Sequence, residues 1–290
     1  MLNETNACWL NGQIVPSERA VVSVFDHGLL YGDGVFEGIR FYNHKTFCLS
    51  EHLQRLRDSA LVLRIMLSYT EEELTKAVNE LITECGQKEG YIRLVITRGN
   101  GSLGIDPASC QQPTVIMIAA PLSIVPENKR QQGLKLMISA VRRMPVDVLD
   151  PRVKSLNYLN NVMAKMQATI AGMDEAVMLN ATGNIAEGSA DNIFVVKQGR
   201  LFTPDVSSGA LQGITRHIVI RLARDSGIDV VESRLSPYDL YTADECFLTG
   251  TGVELLPVAE VDGRKVKACP GTIYQLIEAA FYKTIMEQTR

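Results

Sequence analysis

Two α+β domains are predicted from this 290-residue sequence, and three observations predict them. Strand-like and helix-like segments are mixed without the regular alternation of a doubly wound sheet. Hydrophobic residues make up 46% and charged residues 21% of the chain, which is enough apolar material for a real core. Residues 121–133 (PLSIVPENKRQQG) turn proline-bearing and polar, and read as a linker between a domain at 1–120 and a larger one at 134–290.

The elements follow from period and punctuation along the chain. Trp9 and Leu10, the pair Asn11-Gly12, then Ile14 and Val15 read as a β-hairpin, since Asn-Gly tolerates the positive φ of a two-residue turn. Residues 35–42 and 46–49 predict a second strand pair around Asn43-His44-Lys45. One helix is expected from Ser50 and another from Thr70, where Thr70 and Glu73 fit a capping box. Residues 91–97 and 114–120 are rich in β-branched residues and predict strands, as do 134–141 beyond the linker. Leu156, Leu159, Met163, Met166 and Ile170 recur at helical spacing and predict one buried helix face. Strands are expected at 176–179, 193–196, 229–231 and 246–249. A helix from Ile214 is closed by Gly227, Asp262-Gly263 makes a turn, and a last helix starts near Thr272.

Charge and special residues exclude several functions. The formal net charge is −4 and no Lys/Arg run offsets it, so a footprint for nucleic acid is missing. Residues 1–12 lack the basic-then-apolar order of a signal peptide. The longest apolar stretch, 115–125, is interrupted by Pro121 and is too short to span a bilayer. A cytoplasmic location is therefore expected. The 6 cysteines form no C-x-x-C pair and the 4 histidines no ligand spacing, so neither a disulfide framework nor a metal site is expected.

Four features point to chemistry. Lys154 lies between Val153 and Leu156 and precedes a helix, a setting where desolvation and the helix dipole would favour a neutral, imine-forming amine. A surface lysine in a connection would show the same spacing. Glu187, expected in the polar loop NATGNIAEGSADN between two apolar strands, either faces a heterocyclic nitrogen or caps a turn. In LQGITR, from Leu211, a Gly-bearing loop enters a helix at Ile214-Thr215, where unpaired N–H groups can meet an anion. The TGTG run at 249–252 offers a second nest of amides and hydroxyls, and with Arg55 the two would make a phosphate cup. Finally, YGDGVFEGIRFY at 31–42 sets glycines beside aromatics, as a pocket-lining turn or a packed hairpin would.

Taken together and in order, YGDGVFEGIR, EHLQRLRDSA, YIRLVITRG with LGIDP, KSLNYLNN, EGSADNIF, LQGITR and FLTGTGVELLP resemble the fold-type IV pyridoxal-phosphate enzymes, and among them the branched-chain aminotransferases. The resemblance runs nearly end to end. It implies a two-domain fold like that of D-amino-acid aminotransferase, with pyridoxal 5′-phosphate between the domains. It implies a homodimer, or a larger ring, that transfers the amino group of leucine, isoleucine or valine to 2-oxoglutarate. Lys154 matches the lysine that attaches the cofactor, and Arg55, Ile214, Thr215 and Thr251 match the phosphate binders. Tyr158 matches the partner of the phenolic oxygen, Glu187 that of the pyridine nitrogen, and Leu211 a residue packing on the ring. Tyr31, Phe36, Tyr91, Arg93, Leu103 and Ile105 match the substrate pocket, and Thr251 with Gly252 the α-carboxylate site. Tyr31 and the Leu103–Ile105 loop are expected to serve the neighbouring subunit.

One departure stands out, and the resemblance has rivals. Leu122 and Val125 occupy positions where many branched-chain enzymes carry aromatics, which implies a more open pocket wall. D-amino-acid transaminases carry an R-x-H pair after TRG, where this chain has NGSLGIDP. Aminodeoxychorismate lyases show K-H-L-N where this chain has KSLN. A non-catalytic cofactor-binding protein would have no need of both Lys154 and Glu187.

Overall fold

The computed structural model describes residues 7–122 and 125–290. The reading of residues 1–6, and the part of the expected linker at 123–124, lie outside the described residues. The chain divides into two compact units. The first comprises Met1–Leu122, Val153–Asn157 and Ile285–Arg290; the second comprises Ser123–Arg152 and Tyr158–Thr284. The segment carrying Lys154 thus belongs with the first unit.

In the first unit, β1 (Ala7–Leu10), β2 (Gln13–Val15), β3 (Gly34–Tyr42), β4 (Lys45–Thr46), β5 (Gly90–Thr97) and β6 (Thr114–Ala120) form a six-stranded sheet in the order β2-β1-β6-β5-β3-β4. Every neighbouring pair is antiparallel. The first hairpin turns on Asn11 and Gly12, both at positive φ. The second pair is shorter than expected: Cys48 takes a positive φ of 57° and Leu49 already begins α2 (Leu49–Val62). A short helix that sequence reasoning did not foresee, α1 (His27–Tyr31), starts where the Asp26 carboxylate accepts from Gly28 N–H. α3 (Glu71–Cys85) starts on the expected capping box.

One face of this sheet carries Val35, Ile39, Phe41, Ile92, Leu94, Ile96, Val115, Met117 and Ala119, all essentially inaccessible. Leu53, Leu56 and Ala60 of α2 and Leu74, Val78, Leu81 and Ile82 of α3 complete the same cluster. Each of the larger aliphatics contributes about 1.5–3 kcal/mol by leaving water. The two-residue period of the strands sends the alternate residues to the other face. Those alternate residues include Phe36, Tyr91 and Arg93, three of the residues that the sequence singled out.

The second unit contains α4 (Glu127–Gln132), β7 (Leu134–Ile138), α5 (Leu159–Ile170), β8 (Glu175–Leu179), β9 (Ile185–Gly188), β10 (Asn192–Lys197), β11 (Arg200–Pro204), α6 (Ile214–Asp225), β12 (Val230–Ser233), α7 (Pro237–Tyr241), β13 (Glu245–Gly250), β14 (Glu254–Val261), β15 (Arg264–Lys265) and most of α8 (Thr272–Gln288). Its nine-stranded sheet runs β12-β11-β10-β13-β14-β7-β8-β9, with β15 paired to β14. The pairs β11–β12, β14–β7 and β7–β8 are parallel, so the sheet is mixed. The stretch read as linker holds a helix, α4, entered from Pro126.

Two expectations fail here. Glu187 lies on a buried strand, β9, and not in a loop. The helical stripe of Leu159, Met163, Met166 and Ile170 faces outward, at 72%, 45%, 53% and 80% exposure. The buried face of α5 is instead Asn161, Ala164 and Ala168, of which the two alanines pack with Ala176 and Met178 of β8. Small side chains let a helix lie close to a sheet, and a period cannot distinguish an apolar face that is buried from one that is not. Leu156 precedes the helix altogether. No helix among the described residues is long and apolar enough to cross a membrane.

The capping box gives a direct check on this fold. Thr70→Ala removes the acceptor for Glu73 N–H and is expected to cost about 1 kcal/mol of stability, measured as a lower urea midpoint at unchanged slope.

Candidate active site

In the first unit three of the expected site residues, Phe36, Tyr91 and Arg93, share the face of the sheet opposite the helices. Phe36, Gly38 and Arg40 of β3 share that face with Tyr91 and Arg93 of β5, in the register Gly38↔Arg93 and Arg40↔Tyr91. The Arg93 guanidinium lies over the Phe36 ring at 4.5 Å and the Tyr91 ring at 5.5 Å. Gly38 has no room for a side chain, since a Cβ there would come within 1.9 Å of the Tyr91 hydroxyl.

Lys154 joins this face through the backbone. Phe36 N–H donates to the Lys154 carbonyl at 3.0 Å, Leu156 N–H donates to the Gly34 carbonyl at 2.9 Å, and Val35 bridges to Ser155. The Ser59 hydroxyl of α2 accepts from Lys154 N–H at 3.2 Å. The half-buried side chain then carries Nζ to 4.4 Å from the Phe36 ring centre. The helix that the sequence places after this lysine begins at Leu159. Within the first unit, strand pairing and the aromatic ring define the lysine's setting.

Beneath the strand, on its helix side, sits a charged cluster that sequence reasoning missed. Glu37 is wholly buried, and both of its oxygens accept from Arg55, Nε to Oε1 and Nη2 to Oε2, each at 2.7 Å. His52 Nδ1 lies 2.7 Å from Glu37 Oε2. Burial pushes the Glu37 carboxyl up, but Arg55 and His52 together outweigh it and bring the group down to about 2. Burial pushes His52 below its ordinary value against the pull of Glu37, with Arg55 and Lys154 adding to the effect. A neutral His52 therefore donates from Nδ1 to the carboxylate. The alternation of β3 held a signal: Glu37 falls between Val35 and Ile39 on the apolar face.

A third set of first-unit residues lies outward. Tyr31 donates to the Leu103 carbonyl, and His27 Nε2 is 2.9 Å from the Ser102 carbonyl. These bonds present Leu103 and Ile105 at 69% and 82% exposure.

The second unit holds the remaining candidates. Glu187 accepts from Arg143 Nε at 2.9 Å on one oxygen, and from Leu211 N–H at 2.9 Å and Asn192 Nδ2 at 3.4 Å on the other. Arg143 also donates to Asn161 Oδ1 at 3.0 Å, and Asn161 donates to the Ser189 carbonyl. Arg143 carried no signal in the sequence, following Arg142 in a stretch of no clear period, and Asn161 appeared only as the last residue of KSLNYLNN. Asn192 fixes the Leu211 carbonyl at 2.9 Å, and its Oδ1 would meet a Cβ on Gly213 at 1.9 Å, so only glycine fits there. Gly213 is the N-cap of α6 and offers no side-chain cap to the first-turn amides of Ile214 and Thr215. Thr251 and Gly252 are half-buried in the turn between β13 and β14, and Thr249 just before them is wholly buried, its hydroxyl without a hydrogen-bond partner among the described residues. Tyr158 is the half-buried N-cap of α5, and Val125 packs against the apolar core of this unit.

Residues 34–261 match the model of the amino-transferase class IV family. The chain belongs to that family. Enzymes of this family work with pyridoxal 5′-phosphate. A Methanocaldococcus jannaschii protein, provisionally named a branched-chain-amino-acid aminotransferase, is 53% identical over 89% of this chain and 88% of its own length. The crystal structure of the Escherichia coli branched-chain amino acid aminotransferase superposes with a TM-score of 0.94, at 37% identity over 98% of this chain and 96% of that one. The branched-chain amino acid aminotransferase of the organism abbreviated T.th., solved with pyridoxamine 5′-phosphate, gives 0.92 at 36% identity over 97% and 94%. That same protein has also been solved with N-(5′-phosphopyridoxyl)-L-glutamate and with 4-methylvaleric acid.

The Glu37 cluster in this class IV chain makes a prediction about acid. Its carboxyl lies near 2 when folded against an ordinary 4.5, so its stabilisation is complete above pH 4.5 and is lost as pH falls toward 2. The gap in urea midpoint between the protein and Glu37→Gln should shrink over that window. A gap independent of pH would refute the assignment.

Proposed function

We propose that this chain transfers the amino group of leucine, isoleucine and valine to 2-oxoglutarate, using pyridoxal 5′-phosphate carried on Lys154. The observation that carries the reading is the face formed by Phe36, Tyr91 and Arg93 with the Lys154 amine over it. It combines a primary amine, aromatic surface for an aliphatic side chain, and a cation for a second carboxylate. The relative that has been solved both with a branched aliphatic acid and with a glutamate adduct supports the pairing of these two substrates.

The donor set suits the cofactor. A carbonyl needs a primary amine, and Lys154 supplies it. A phosphate needs N–H groups and cations; the uncapped start of α6 at Ile214 and Thr215, with Thr251 and Arg55, would supply them. The orphaned Thr249 hydroxyl beside Thr251 supports a polar group docking there, because a buried hydroxyl without a partner costs about 1–3 kcal/mol. Glu187, held in place by Arg143, Asn192 and the Leu211 amide, would serve a ring nitrogen. Leu211 would pack on the ring, and Tyr158 would bond its phenolic oxygen.

When bound, the cofactor supplies an electron-withdrawing ring that stabilises the electrons left at the substrate Cα. The chain's own groups do the rest. Lys154 would take the proton from the substrate Cα and deliver it to the carbon that carried the carbonyl, and would move a proton the opposite way in the second half of the cycle. Glu187, held by Arg143, places negative charge where a protonated ring nitrogen needs it. Thr251 and Gly252 orient the α-carboxylate, and Phe36 and Tyr91 exclude water around the aliphatic side chain. The amino acid departs as its 2-oxo acid before 2-oxoglutarate enters, so the kinetics are ping-pong. Tyr31, Leu103 and Ile105, displayed outward, serve a second copy of the chain in a cytoplasmic homodimer.

Two experiments test this. Borohydride reduction followed by peptide mapping should place the cofactor on Lys154, and Lys154→Ala should abolish both the link and turnover. Attachment at another lysine would end the proposal. Arg93→Ala should spare the leucine half-reaction and slow the 2-oxoglutarate half-reaction by about ten- to a hundredfold in kcat/KM, the worth of a charge-assisted pair. Equal losses in both halves would remove Arg93 from its assigned role.

A further inference from the structure

The Glu37 cluster lies on the side of β3 away from the substrate face, yet one stripe of α2 ties it to Lys154. His52, Arg55 and Ser59 recur at helical spacing along α2. The first two meet Glu37, and the third accepts from Lys154 N–H. The charge of Lys154 is also felt at His52. The cluster therefore adjoins the attachment lysine, although Glu37 itself faces the helix side and stays wholly buried.

We propose that Glu37 is a positioning residue that aims the Arg55 guanidinium at the phosphate of the cofactor. The proposal rests on the reading of Arg55 as a phosphate ligand. A guanidinium is planar and its donors are rigidly spaced. Fixing Nε and Nη2 on the two oxygens of one carboxylate fixes the direction of Nη1 as well. His52 closes the arrangement by bonding Glu37 Oε2, which stops the carboxylate from turning with the arginine. The assembly spends a negative charge close to where an anion binds. That arrangement makes sense if orientation matters more than net charge, because a free arginine would offer the same charge with many rotamers to lose on binding. A glutamine at position 37 would present an amide N–H₂ to one of the arginine donors, so the fork could no longer seat.

The test compares two ligands that differ only in the phosphate, pyridoxal 5′-phosphate and pyridoxal, titrated into apoenzyme with protein fluorescence as the readout. The ratio of their dissociation constants reports the phosphate contact alone. Glu37→Gln is expected to weaken pyridoxal 5′-phosphate by about tenfold while leaving pyridoxal unchanged, as the loss of one charge-assisted contact would. Arg55→Ala should lower the ratio at least as far, and adding Glu37→Gln to it should lower it no further, because the carboxylate acts only through the arginine. Arg55→Lys keeps the charge but cannot meet Glu37 with a fork, and should reproduce the fall even where Glu37→Gln does not fold. An equal loss for both ligands in Glu37→Gln marks a merely structural role and overturns the proposal. So does an unchanged ratio in Glu37→Gln or Arg55→Lys alongside a fallen one in Arg55→Ala, which leaves Arg55 as a phosphate ligand. An unchanged ratio in Arg55→Ala instead removes the phosphate role itself, and the aiming with it.

Discussion

A carboxylate buried among aliphatic side chains has to be matched by charge and hydrogen bonds, and the first unit is built around one such match. Glu37 sits on the apolar face of β3, between Val35 and Ile39, where hydrocarbon would otherwise be expected. Leaving it unpaired there would cost several kcal/mol. Arg55 and His52 answer it from α2, which fixes the rotation and height of that helix against the strand. The same helix then presents Ser59 to the backbone of Lys154. The position of the proposed attachment point thus follows from how a buried charge is satisfied.

The second unit repeats the device with different parts. Glu187 and Arg143 form a buried pair completed by a neutral side chain, Asn161, as Glu37 and Arg55 are completed by His52. Buried pairs of this kind add little stability, since desolvation offsets most of the attraction. What they provide is geometry: a carboxylate held on two sides has its remaining lone pairs pointing in known directions. In Glu187 the second hold is the Leu211 amide, whose own carbonyl is fixed by Asn192, so strand β9 and the approach to α6 are locked together. Gly213 is forced by that same closeness to Asn192.

Much of this was legible in the sequence, and the gaps have physical causes. Hairpin turns, caps and alternating strands are local, so Asn11-Gly12, Thr70 with Glu73, and residues 91–97 could be placed from the sequence alone. Strands β9, β11 and β14 escaped notice because they are buried on both faces or carry polar residues, which erases the two-residue period. The stripe on α5 was seen but turned the wrong way, because a period fixes a face and not what covers it. Among the candidate site residues, Lys154 and Glu187 were ambiguous by themselves and gained their assigned roles only as members of an ordered set of motifs. Arg143 left no trace, being distant in sequence from the carboxylate it holds, and Asn161 showed only as the end of the KSLNYLNN motif. Glu37 did leave one, as a charge at an apolar position of an alternating strand.

The face proposed to receive substrate raises a question of solvation. A cation in an apolar pocket would normally repel an aliphatic side chain by demanding water. Arg93 instead lies over Phe36 and Tyr91, at 4.5 Å and 5.5 Å. Guanidinium is weakly hydrated, and its contact with a ring face recovers about 0.5–2 kcal/mol. Under the proposed function, the arginine would meet a leucine side chain as one more flat surface. Toward a second carboxylate it would offer its edge, where the N–H donors are. The face and the edge of a planar group lie at right angles to each other, so neither substrate would require the other's contact to be undone. Gly38 keeps this possible: with no Cβ beneath it, Tyr91 can lie low enough across the strand to leave room above.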